Sequence, residues 1–124
     1  MAFFWRRTTK TVSLDADIRA VSEYLGAECR VSLSGRLTID SSPGLRAFLL
    51  ERLETPGCQI LTADFCEVAY VDTSGLAILV EILRAARTQG KAFRLSGLRE
   101  RPRYLLETTR LLHLFDEMNP ECRL

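Results

Sequence analysis

The chain has 124 residues, 47% of them hydrophobic and 27% charged, which is enough for one domain with a buried core. Seventeen Lys and Arg stand against sixteen Asp and Glu, and a net charge of +1 argues against a nucleic-acid or acidic-polymer partner. No apolar run approaches the roughly 18 residues of a membrane span, and four cysteines with no C-x-x-C pair, beside a single histidine, argue against a metal site.

The N-terminal MAFFWRRTTK places its charges after a short apolar run, the reverse of an export signal. Phe3, Phe4 and Trp5 are expected to dock on an apolar surface, within the chain or across a homodimer, with a free tail as the third outcome. Residues 1–14 read as an extension, 15–118 as the domain and 119–124 as a tail. Cys29 and Cys66 fall in apolar strand-like runs, where free thiols act as small hydrophobes, so the expected compartment is a reducing cytoplasm.

Ile18 to Leu25 alternates loosely, Gly26 and Ala27 break the pattern, and Cys29 to Leu37 alternates again, which predicts an antiparallel pair with one buried face. In the stretch from Asp40 to Gly57, Ser41 or Ser42 is expected to accept from free helix N–H groups, and Pro43 fits the first turn. Leu45, Phe48, Leu49, Arg52 and Leu53 then share a helical face until Pro56-Gly57. QILTADFCEVAYV supplies an interior strand and its loop, Thr73 to about Thr88 a second helix, and KAFRLSGL a short strand. Pro102 opens a last helix with Tyr104, Leu105, Thr108, Leu111 and Leu112 on one face. The order β-β-α-β-α-β-α gives an α/β fold, a mixed sheet with helices packed mainly on one side.

The stretch YVDTSGLAIL runs an apolar strand into Asp72, Thr73, Ser74 and Gly75 and returns at once to an apolar helix. A structural reading makes Asp72 and Thr73 helix caps, each worth about 0.5–2 kcal/mol. A functional reading makes Ser74 a hydroxyl presented for phosphorylation, since phosphate there would lie near free helix N–H groups and add charge to any contacting surface. Along the helix, Leu79, Val80, Leu83 and Ala86 cluster as a core face, opposite Ala77, Glu81, Arg84 and Thr88. Ile78, Ile82 and Ala85 fall at or outside the edge of that cluster; they either widen the buried face or form an exposed apolar strip, and the strip is the reading expected here to meet a partner.

YVDTSGLAILVEILRAARTQGKAFRLSGL resembles the core of STAS domains, above all bacterial anti-sigma factor antagonists, from about Ile18 to Phe115. The likeness includes the LSGRL strand end and the DTSGL turn. It implies that a kinase anti-sigma factor phosphorylates the hydroxyl residue before the glycine, Ser74 here, with Asp72, Thr73 and Gly75 completing the switch turn. The unmodified form would bind that kinase and free a sigma factor, and a phosphatase would reset it. Many phosphorylated members carry G-E-L-D where this chain has Gly35, Arg36, Leu37 and Thr38. Arg36 thus reverses a charge, and Thr38 replaces a carboxylate near the turn, among the expected partner-binding positions.

The resemblance implies a binding module that regulates transcription and needs no cofactor. The alternative is the small cytoplasmic STAS subunit of lipid-transporting ABC complexes, which carries a related turn and grips the ATPase without a phosphate. A hydrolase with Ser74 as nucleophile is disfavoured, because His113 is the sole histidine and lies in the apolar run LLHLF, where a helix-face or core position is expected.

Overall fold

In the computed structural model, which describes residues 8–13 and 17–118, the alternation between Ile18 and Leu37 becomes a hairpin. After the first strand, Thr8–Ser13 (β1), come Ile18–Leu25 (β2) and Glu28–Leu37 (β3), antiparallel with Ala20 opposite Leu33. Ile18, Ala20, Cys29, Val31 and Leu33 are buried, while their alternating neighbours are only partly covered or exposed, so one face of the sheet carries the core. Helix α1 (Ser42–Leu53) leads to β4 (Ile60–Val71), α2 (Thr73–Thr88) to β5 (Ala92–Ser96), and α3 (Glu100–Thr108) through a 3-10 turn at Leu112–Leu114 to β6 (Asp116–Met118).

The six strands lie in sequence order, antiparallel from β1 to β3 and parallel from β3 to β6. Right-handed crossovers that advance in one direction place their helices on one face, and α1 and α2 accordingly touch each other. The expected β-β-α-β-α-β-α order is present as β2 to α3, and two edge strands flank it. Thr8–Ser13, expected as part of the extension, is the β1 edge, paired along β2 from Thr8–Tyr24 to Ser13–Arg19. The segment Phe3, Phe4 and Trp5, with Cys122 and the tail 119–124, lies outside the described residues.

Two irregularities in β4 decide where the site sits. Its buried apolar residues run Leu61, Ala63, Phe65 and then Val68 and Val71, because the register against β3 shifts between Ser32 and Ser34 and again between Gly35 and Arg36. Each shift adds one residue to β4. The whole of QILTADFCEVAYV from Ile60 onward is therefore strand, and no part of it is loop. Gly35 has φ of 117°, and a Cβ there would lie 1.9 Å from the Asp17 carbonyl oxygen, which accepts from Arg36 N at 2.8 Å. Only glycine lets the chain pass so close.

Helix α1 buries Leu45, Phe48, Leu49, Arg52 and Leu53 as its spacing predicts. Arg52 is tolerated there because its guanidinium lies over the Phe48 ring, 4.8 Å from the centroid, and pairs with Glu51. Helix α3 departs from expectation. It ends at Thr108, before Leu111 and Leu112, and it buries Pro102 and Leu106 while Tyr104 is 67% exposed. A single helical period carried through the break at Thr109 rotates the face away from the one that packs.

Candidate functional site

The end of β4 and the start of α2 meet at Asp72, whose extended backbone makes it the N-cap. One carboxylate oxygen, Oδ1, accepts from Gly75 N at 3.0 Å and caps the helix. The other, Oδ2, accepts from Ile39 N at 3.1 Å, so the same side chain ties down the loop between β3 and α1. Asp72 N donates to the Leu37 carbonyl at 3.0 Å, which extends the β3–β4 pairing into the turn.

Gly75 is buried, and its role is packing. A Cβ would stand 2.5 Å from Leu37 Cγ and 3.1 Å from Val71 Cγ1. The missing side chain is what lets α2 start directly against β3 and β4. Thr73, the first helical residue, is exposed, and Ser74, the second, is half-buried. Among the described residues nothing hydrogen-bonds the Ser74 hydroxyl or the Thr73 hydroxyl, so Thr73 does not cap the helix as expected; Asp72 alone does so through its side chain.

The facing loop is equally ordered. Ser41 Oγ accepts from Thr38 N at 2.9 Å and donates to the Arg36 carbonyl at 3.0 Å, and Ser42 Oγ donates to the Thr38 carbonyl at 2.7 Å. The expected capping bond from Ser41 or Ser42 to α1 is thus absent among the described residues, because both hydroxyls close the tight return after β3. Thr38 is half-buried and its Oγ1 accepts from Asp40 N at 3.3 Å. The loop presents Ile39, 67% exposed, next to Asp72.

The predicted partner strip on α2 is corrected by the packing. Ile82 is fully buried, Ile78 is buried at 9% exposure, and Ala85 is half-buried against the core. The buried residues of α2 span an arc of about 160° at a period of 3.6 residues, because the helix packs on α1 as well as on the sheet. Among the described residues the large apolar side chains left exposed are instead Ile39 and Tyr104, both off α2 and at the rim around the turn and its neighbouring helix. The available signal was Ile39 itself, an isoleucine inside the otherwise polar run from Thr38 to Ser42.

Beyond the turn lies a groove of about 490 Å³ lined by Tyr70, Val71, Glu100, Arg101 and Tyr104, between the end of β4 and α3. Arg36, opposite Tyr70 in the β3–β4 register, holds its guanidinium 4.8 Å from the Tyr70 ring centroid. His113 is exposed on the 3-10 turn and lines a different hollow with Glu107, Arg110 and Leu112, in place of the helix-face or core position expected for it. Among the described residues no three metal-ligating side chains converge, and no helix is long and apolar enough to cross a membrane.

Several solved structures share this fold. An anti-sigma factor antagonist from Mycobacterium paratuberculosis has a TM-score of 0.69 at 21% identity, over 83% of this chain and 86% of that one. The Bacillus cell fate determinant SpoIIAA in its phosphorylated form has a TM-score of 0.60 at 12% identity, over 93% of each chain. A sulfate transporter family protein from Wolinella succinogenes has a TM-score of 0.60 at 19% identity, over 77% of this chain and 80% of that one. At such identities the likeness is one of fold. The family model described as Mlab, STAS domain, matches residues 22–116, so the chain belongs to the STAS domain family.

Proposed function

We propose that the chain is an anti-sigma factor antagonist, a binding module that holds a kinase anti-sigma factor while Ser74 is unmodified and releases it once Ser74 carries phosphate. The observation that carries this reading is the placement of Ser74. Its hydroxyl is unengaged among the described residues, at the second position of α2, next to exposed Thr73 and two residues after Asp72, which accepts from the N–H of exposed Ile39. A phosphate there adds about −1.5 to −2 charge at a helix start whose Asp72 carboxylate is already committed to two N–H groups. The fold survives, and the contact surface changes sign locally. The fold-level likeness to SpoIIAA, a protein known in a phosphorylated form, supports the same assignment. In this reading the module works in the cytoplasm, regulates transcription without catalysing a reaction, and is reset by a phosphatase.

The test is phosphate mapping. Incubation with the kinase anti-sigma factor of the same genome and ATP, followed by tandem mass spectrometry, should give a single phosphate on Ser74 and none in Ser74→Ala. Incorporation at another residue, or none, contradicts the assignment.

One observation favours a second reading, since the matching family model carries the description Mlab. There the chain would be the STAS subunit of a lipid-transporting ABC complex, and the same rim would grip its ATPase without any phosphate. An ATPase that binds wild type and Ser74→Asp equally would select it.

A further inference from the structure

The groove beside the switch turn has a composition that phosphorylation leaves unexplained. Two tyrosines, Tyr70 and Tyr104, line it with Val71, Glu100 and Arg101, and Arg36 lies over Tyr70. Arg36 and Arg101 are both exposed, and among the described residues neither takes part in an ion pair. Glu100 is the one acid among the lining residues, and Asp72 at the rim is bound to the backbone of Ile39 and Gly75. The groove itself is lined by one guanidinium, Arg101, and one carboxylate, Glu100; Arg36 over Tyr70 adds a second guanidinium, unpaired among the described residues, at its edge, where the Asp72 oxygens are already engaged with two backbone N–H groups. An arginine already stacked on an aromatic ring loses little rotamer freedom when a carboxylate arrives, and its planar fork can bind both oxygens.

We propose that this groove receives an acidic segment of the protein partner, with carboxylates on Arg36 and Arg101 and an apolar side chain against Tyr70, Tyr104 and Val71. The identity of that partner rests on the antagonist reading; the chemistry of the segment rests on the groove. A basic segment would meet like charge at both arginines, so the pairing selects partners as well as attracting them. It also supplies a route to release. Ser74 lies three residues beyond Val71, and a phosphate there would repel the same acidic segment.

The experiment is an NMR titration of the ¹⁵N-labelled full chain with a capped heptapeptide of Glu and Asp around a central Phe, and with a matched Lys and Arg peptide. Saturable shifts are expected at Tyr70, Val71, Arg101 and Tyr104 with the acidic peptide only. Affinity should fall at least about tenfold in the double variant Arg36→Glu, Arg101→Glu, and should weaken as salt is raised. Both positions are exposed, so the variant should keep its circular dichroism and melting temperature. Absent shifts, equal shifts with the basic peptide, or shifts that survive charge reversal overturn the proposal. Shifts at these residues on raising protein concentration alone would give the groove to a second copy of the chain and overturn it too. The titration contains no kinase and no phosphate, so it can fail while phosphate mapping on Ser74 succeeds, and the reverse.

Discussion

Asp72 divides its carboxylate between the start of α2 and the loop that carries Ile39. The helix start and the loop are thereby held in one geometry. Its neighbour Gly75 sets two effects against each other. In a helix interior Ala is favoured over Gly by about 0.8–1.0 kcal/mol, but here a Cβ would lie 2.5 Å from Cγ of Leu37, which is fully buried and has nowhere to move. Overpacking of that kind costs about 1–3 kcal/mol, so Gly75→Ala should be destabilising in urea; a stabilised variant would show that Leu37 yields. At the other end of β3, burial, with the nearby Cys58 thiol adding to it, pushes the Cys29 thiol from its ordinary 9.0 up to about 11. The folded chain then keeps a proton that the unfolded chain gives up. Stability from this group is fully present below pH 9.0 and is lost as pH rises towards about 11. Between those values the urea midpoint should fall more steeply for wild type than for Cys29→Ala, and parallel slopes would contradict the assignment.

Among the elements, α2 carries the main correction and a prediction. With Ile82 fully buried, Ile82→Ala should cost about 2–5 kcal/mol. Ile78→Glu should lower folding stability before it touches any partner, because it places a charge in the core. An Ile78→Glu protein with unchanged melting and lost partner binding would restore the exposed strip. The second prediction concerns β1, which covers one edge of β2 along the whole pairing from Thr8 to Ser13. Removing residues 1–13 should speed hydrogen exchange of the β2 amides and promote association through the bared edge; unchanged exchange would mean that β1 contributes little. These elements also show what the sequence discloses. Helices with strong apolar periodicity and hard stops, such as Thr73–Thr88 closed at Gln89-Gly90, are legible to the residue. Arg52 can be placed on the buried face of α1 from spacing alone. The width of the buried face of α2 is not legible, because it depends on α1 lying alongside. The two β4 register shifts escape too, since each breaks the alternation on which strand reading rests, and TTKTVS, with Val12 as its one large apolar residue, has no apolar alternation to reveal an edge strand.

At the scale of the molecule, a sheet with one helix-covered face brings three separate pieces of chain to one end: the loop after β3, the turn after β4 and the start of α3. Asp72 fixes the first to the second, and the groove lies between the second and the third. The strand-to-helix turn at Asp72 to Gly75 is legible from its motif, but exposed Ile39 and the groove emerge only once β3 and β4 are side by side. The turn and the loop after β3 are ordered by the Asp72 hydrogen bonds, and in the proposed switch a phosphate on Ser74 would add negative charge beside them. The most direct measurement is calorimetric affinity for the kinase anti-sigma factor of the same genome, taken with unmodified chain, Ser74→Ala and chain phosphorylated on Ser74. Unmodified chain and Ser74→Ala should bind alike, and the phosphorylated form at least about tenfold more weakly, a difference of about 1.4 kcal/mol or more. Equal affinity for all three would contradict the switch.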